Sequence, residues 1–221
     1  MKNSKIVKTK HWLFDFDGTL VDSMPHWSAA MVGELDSHGI PHSDDIVNII
    51  TPLGTHGTIE YFQKLGLDLP HEKIKEEIYA VLTHKYHHII GEKVGVRHCL
   101  EAMRAAGCKL HVLTASPHVW LDPCLKRLGL YELFDNVWSS DDFGTGKTNP
   151  DISRAVAEKI GAELSDITFL DDNINADKAA KLSGVRVIAV YDETSKKDEP
   201  EMRELFDGYV YDFKELEEYL I

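Results

Sequence analysis

Two aspartates one residue apart, Asp15 and Asp17, close the apolar run in "WLFDFDGTLVDS" (residues 12–23), and Gly18 follows at once. In a strand, residues i and i+2 share a face, so this pair is expected to crowd two negative charges beyond the run that carries them. Two later runs of β-forming residues also end in polar groups. "CKLHVLT" ends in Thr114, and "ITFLDD" ends in Asp171 and Asp172. In a parallel sheet such ends lie along one edge. Four carboxylates there repel one another unless they are protonated or bridged by a cation, and a hard, oxygen-seeking ion such as Mg2+ is the usual solution. Once metallated, the acidic cluster becomes a place for phosphate oxygens, and Lys147 is expected to supply the remaining positive charge.

The elements that must position these groups alternate after residue 93. Residues 108–114, 167–172 and 185–190 read as strands, and residues 96–107, 119–129, 150–161 and 176–184 as helices, mostly closed by a glycine. This alternation predicts an α/β fold, a parallel sheet with helices on both faces. Residues 22–92 read differently: "HWSAAMVGELDSHG", "GTIEYFQKLG" and "EKIKEEIYAVLTHKYHHII" carry helical apolar spacing, with "PLGTHG" and "LDLPHE" as breaks. The expected division is therefore a core of residues 1–21 and 93–221 with an inserted helical domain at 22–92, where it could cover the first strand's end. The tail reads as a charged loop or helix, a short strand and a closing helix.

With 221 residues the chain is long enough to bury a substantial interior. Its formal net charge of −13, from 37 acidic against 24 basic residues, argues against general nucleic-acid binding, which needs clustered Lys and Arg. Cys99, Cys108 and Cys124 lack metal-ligand spacing and read as reduced thiols. No window approaches the roughly 20 apolar residues of a membrane span, and a cytoplasmic monomer is expected.

Four segments, "DFDGTLVDS", "VLTAS", "GKTNPDI" and "FLDDNINADKAAKLSG", resemble in order and spacing the motifs of the haloacid dehalogenase superfamily of phosphohydrolases. The resemblance spans nearly the whole chain, and the insert is similar to the C1 cap of the phosphoglycolate phosphatase and β-phosphoglucomutase branch. It implies a Rossmann-like core and Mg2+-dependent hydrolysis of a small phosphorylated metabolite through an aspartyl-phosphate. Asp15 would be the nucleophile and Asp17 the acid/base, with its backbone carbonyl facing the metal. Thr114, Ala115 and Lys147 would bind the phosphoryl group, and Asp171 and Asp172 would join Asp15 and Asp17 around Mg2+. Many members of the family carry a further acid several positions later, for which Asp177 is the nearest candidate, displaced by a residue or so. The β-phosphoglucomutases of the branch carry a histidine where Trp27 stands, and basic cap residues for a second phosphate. "ITPLGTHGTIEYF" (50–62) holds no arginine, so hydrolysis is expected over mutase chemistry.

Rival motifs fail on spacing. An EF-hand aligned on Gly18 would put Leu13 first and Met24 last, where carboxylates are needed. A nucleotide P-loop ending in Gly146 and Lys147 needs a glycine where Asp141 stands. The insert holds eight of the twelve histidines. His84, His87 and His88 read as a solvated helix face, whereas His56, placed in a loop between helices, is expected to reach substrate.

Overall fold

A computed structural model describes residues 9–216. The basic start at 1–8 and the last residues of the expected closing helix, 217–221, lie outside the described residues. Within them the chain forms two compact units, residues 9–22 with 91–216, and Ser23–Ile90. The boundaries expected from the sequence lay at 21/22 and 92/93.

The first unit is built on six parallel strands: β1 (His11–Phe14), β2 (Lys109–Thr114), β3 (Asn136–Ser139), β4 (Ile167–Asp171), β5 (Arg186–Val190) and β6 (Gly208–Val210). They are arranged in the order β3-β2-β1-β4-β5-β6. Strands covered on both faces bury nearly every side chain, which is why their sequences read as continuous apolar runs. Leu13, Phe169 and Val187 pack on one face with Ile152 and Val156 of α7 (Asp151–Ile160) and Ala176 and Ala180 of α8 (Ile174–Ser183). Phe14, one residue on and so pointing the other way, meets Phe213 of α10 (Phe213–Leu216) and Phe134 at ring-centroid distances of 6.0 and 6.2 Å. Helices α5 (Val96–Ala105), α6 (His118–Arg127) and α9 (Glu199–Leu205) complete the unit.

Two sequence expectations need correction here. β1 stops at Phe14, so Asp15 and Asp17 lie in the turn beyond it rather than on one face of a strand. Leu20 and Val21 donate their N–H groups to the Phe16 carbonyl and bend the chain back. The strand β3 has no counterpart in the sequence reading, because "NVWS" is short, starts with a polar residue and is only half buried at the sheet edge. Its pairing with β2 makes it a strand.

The second unit is an all-helical bundle of α1 (Met24–Ser37), α2 (Ile46–Ile50), α3 (Gly54–Lys64) and α4 (His71–His88). Ile74, Ile78, Leu82 and Tyr86 recur every four residues along α4 and are fully buried, the period that puts side chains in one stripe. "PLGTHG" is not the break that its glycines and proline suggest. Pro52 sits in the first turn of a 3-10 helix, where its missing N–H costs nothing, and α3 begins at Gly54, so His56 is helical. Among the described residues no helix is long and apolar enough to cross a membrane.

A polar group is buried at the opposite end of the sheet from the acidic residues. The Asn136 side-chain amide lies 3.0 Å from His111 Nδ1, and His111 Nε2 lies 3.2 Å from His11 Nδ1. That pattern fits a neutral ring with its proton on Nε2. Burial, and then the neighbouring His11, hold the His111 imidazole down to about 4. The unfolded chain protonates His111 near 6.5 and the folded protein only near 4, so this residue's contribution to stability is present above 6.5 and is lost as pH falls towards 4. Urea unfolding at pH 7 and pH 4.5 should show a smaller pH loss for His111→Gln than for the parent. An equal loss in both would mean that the ring titrates normally.

Candidate active site

The sheet order sets the site. β1 is flanked by β2 and β4, and the Asp15 N–H donates to the Leu170 carbonyl at 2.8 Å, which brings Asp15 beside Asp171 at the carboxyl ends of neighbouring strands. Lys147, from the turn before α7, reaches between them. Its Nζ lies 2.5 Å from Asp15 Oδ1, an ion contact rather than a directed hydrogen bond, and 2.7 Å from Asp171 Oδ2. Burial alone would discharge the Lys147 ammonium, but Asp15 and Asp171 outweigh it and raise its pKa.

Each Asp171 oxygen has a partner: Oδ1 accepts the Asn173 N–H at 2.8 Å and Oδ2 takes Lys147. Asp172 is held differently. Thr19 Oγ1 donates to its Oδ1 at 3.3 Å, and its carboxylate lies directly against Gly18. A Cβ at Gly18 would stand 2.5 Å from Asp172 Oδ2, and the residue's φ of +73° is one that L side chains rarely adopt. Glycine is therefore required here twice over, by the backbone and by the approach of Asp172.

Asp15, Asp171 and Asp172 form a buried group whose ligand atoms lie within 4.8 Å of one another. Three carboxylates face one ammonium. Burial first, then the neighbouring charges, push the Asp171 carboxyl up to about 7 and Asp172 well above its ordinary value. A hard divalent cation fits this donor set, because it offsets the excess negative charge that burial otherwise drives toward protonation.

Asp17 is not part of that group; its side chain instead takes the hydroxyl of Ser116 at 2.5 Å. The Thr114 hydroxyl oxygen accepts the Ser116 N–H at 3.0 Å, which leaves the hydroxyl proton to donate elsewhere. Ala115, between them, is exposed at the end of β2. Asp177 is fully buried on α8 with neither oxygen hydrogen-bonded, and its pKa is raised well above the ordinary value by burial, then by Asp171 and Asp172. It is not among the clustered ligands. His56 belongs to the helical unit, 76 % exposed, with Glu60 3.2 Å away and the His71 ring at a centroid distance of 4.5 Å.

Thr19, Asn173, Ser116 and Lys93 carry no role in the sequence reading. Ser116 stands two residues after Thr114, inside a segment already marked for its threonine. Lys93 donates to the Gly18 carbonyl at 2.6 Å, to the Tyr191 carbonyl at 2.7 Å and to Asp192 Oδ2 at 3.1 Å, tying the turn after β1 to the loop after β5. A single lysine after a long helix carries no sequence signal of such a role.

Known proteins share this fold. A phosphorylated carbohydrates phosphatase of Thermotoga maritima is 26% identical over 177 residues, 80% of this chain and 82% of its own. The crystal structure of a predicted phosphoglycolate phosphatase of Haemophilus somnus superposes with a TM-score of 0.81 at 21% identity, covering 96% of this chain and 98% of that one. That of YfnB, a HAD-hydrolase of Bacillus subtilis bound to magnesium, gives 0.80 at 16% identity, covering 97% and 99%. The sequence profile of the haloacid dehalogenase-like hydrolases matches residues 9–184, from the approach to β1 to the end of α8, and so takes in every acidic strand end described above. By that match the chain belongs to the haloacid dehalogenase-like hydrolases.

Proposed function

We propose that this protein is a Mg2+-dependent phosphomonoester hydrolase acting on a small phosphorylated metabolite. The observation that carries the reading is the different placement of two aspartates with one residue between them: Asp15 against Lys147 in the buried charge cluster, and Asp17 outside it on Ser116. Two carboxyl groups so placed are suited to two tasks. The names of the phosphatase relatives support the same activity.

Asp15 is the nucleophile. Its carboxylate oxygen attacks phosphorus, the phosphorus–oxygen bond to the alcohol breaks, and Asp17 gives its proton to the departing alkoxide. Asp17, now a carboxylate, takes a proton from water as the water oxygen attacks the aspartyl-phosphate, and inorganic phosphate leaves with Asp15 regenerated. Lys147 holds Asp15 in place and faces the charge on the transferring group, while the Thr114 hydroxyl and the backbone at Ala115 supply donors to its oxygens. Mg2+ would be held by Asp172 and Asp15 with the Asp17 carbonyl, and when bound supplies positive charge to the phosphoryl oxygens. Asp171 holds Lys147 and the Asn173 turn, and the lone pairs that these contacts leave keep it within the ligand set of the ion. His56 stands exposed in the first turn of α3 rather than in a loop between helices.

Hydrolysis is preferred over a mutase reaction for the reason read in the sequence, now with a structural context. Trp27, where the mutases of the branch carry histidine, donates its indole N–H to the Tyr86 hydroxyl at 2.8 Å and packs edge-on against Tyr79, as an internal strut of the helical unit.

Phosphate release from a panel of sugar phosphates, phosphoglycolate and nucleotides tests the activity, and should stop in chelator and return with added Mg2+. Asp15→Asn should lower turnover by about 10⁴-fold or more with the fold retained, as loss of a nucleophile does elsewhere. Comparable turnover would remove Asp15 from its role. Gly18→Ala should displace Asp172 and weaken Mg2+ binding measured by calorimetry. Unchanged affinity would show that Asp172 does not hold the ion.

A further inference from the structure

The helical unit carries a second convergence of ligand atoms. Glu34 lies on α1 and His38, four residues on, caps the end of that helix, and Glu77 of α4 meets them. His38 Nε2 lies 3.0 Å from Glu77 Oε2 and 3.4 Å from Glu34 Oε1, and the three ligand atoms fall within 4.8 Å of one another. The helices that carry them are locked in register. Trp27, seven residues before Glu34, bonds to Tyr86, nine residues after Glu77, so α1 and α4 run antiparallel with two fixed points of contact.

Glu34 is the anomaly. Its side chain is 6 % exposed, its Oε1 is buried and accepts no hydrogen bond, and that oxygen points to His38. An imidazole N–H satisfies one acceptor, and Nε2 is already at hydrogen-bond distance from Glu77, so histidine alone leaves Glu34 Oε1 without a hydrogen bond. An ion at this point could be reached by all three ligands. Glu77 is prepared for that role, because Lys73 Nζ sits 3.2 Å from its Oε1 and leaves Oε2 turned to the cluster. Such outer partners orient metal ligands.

We propose that Glu34, His38 and Glu77 form a second metal site, within the helical unit, for a divalent first-row ion of the Zn2+ class. The imidazole selects this class over Mg2+, and the partial exposure of His38 and Glu77 lets water complete the coordination. The ion clamps α1 to α4, so it stabilises the unit in proportion to its concentration. The inference is independent of the phosphatase reading.

The test uses the full chain with excess Mg2+, added to compete for the carboxylates at the sheet edge. Zn2+ is titrated by calorimetry and Co2+ by its visible absorption. One Zn2+ per chain, nitrogen-ligated Co2+ bands, and a melting temperature that rises with Zn2+ are expected. His38→Ala and the isosteric Glu77→Gln should each abolish all three, and Lys73→Ala should weaken Zn2+ binding by about tenfold. The parent circular dichroism spectrum in the variants separates lost binding from lost folding. No Zn2+ uptake in excess Mg2+ would overturn the proposal. So would uptake that survives both ligand variants and disappears in His84→Ala, which would place the ion on the His84 and His88 pair of α4, whose rings are 4.8 Å apart.

Discussion

The buried ammonium of Lys147 is the contact on which the rest of the catalytic unit depends. It is 10 % exposed and lies between Asp15, the first residue after β1, and Asp171, the last residue of β4. Without it, two carboxylates would share a dry edge with a third, Asp172, and burial would push protons onto them. With it, Asp15 is held at one place beside Asp171, and the excess negative charge is what a divalent ion would answer. A parallel sheet in this order is the device that brings the two strand ends together, and the turn before α7 delivers the lysine.

Around that contact the structure spends its polar groups on holding backbone. Gly18 gives way to Asp172, Thr19 bonds to the same carboxylate, and Lys93 grips the Gly18 carbonyl from the far side with Tyr191 and Asp192. Asn173 caps α8 through its side chain while its N–H fixes Asp171. These partners come from the turns after β1, β4 and β5 and from the segment between α4 and α5. The loops are individually short and are positioned by the sheet, which is how a rigid scaffold places mobile-looking segments to fractions of an ångström.

The helical unit follows a different economy. Its core is a stripe of aliphatic and aromatic side chains along α4, and Glu34 is a buried carboxylate with no hydrogen bond on one oxygen. A buried carboxylate in a small bundle is costly unless something meets it. The carboxylates of the catalytic unit and Glu34 thus pose one electrostatic problem in two settings, one rich in hard oxygen donors and one with an imidazole.

Much of this was legible in the residues themselves. Apolar runs ending in Asp15, Thr114 and Asp171 announced strands and a shared polar edge, and the four-residue recurrence of α4 announced a helix, because periodicity and β-branched content are local properties. Residue type and order likewise marked Lys147 and Asp172. Local rules failed where long-range pairing decides. β3 is a strand because β2 offers it partners, "PLGTHG" is helical because the bundle tolerates Pro52 in a first turn, and Asp17 faces Ser116 because β1 ends three residues earlier, at Phe14. The sequence by itself determined which chemistry the chain can carry. Only the tertiary structure decided which carboxylate meets which cation, since Lys147 and Asp15 are far apart along the chain and their 2.5 Å contact exists only when the sheet has ordered its strands.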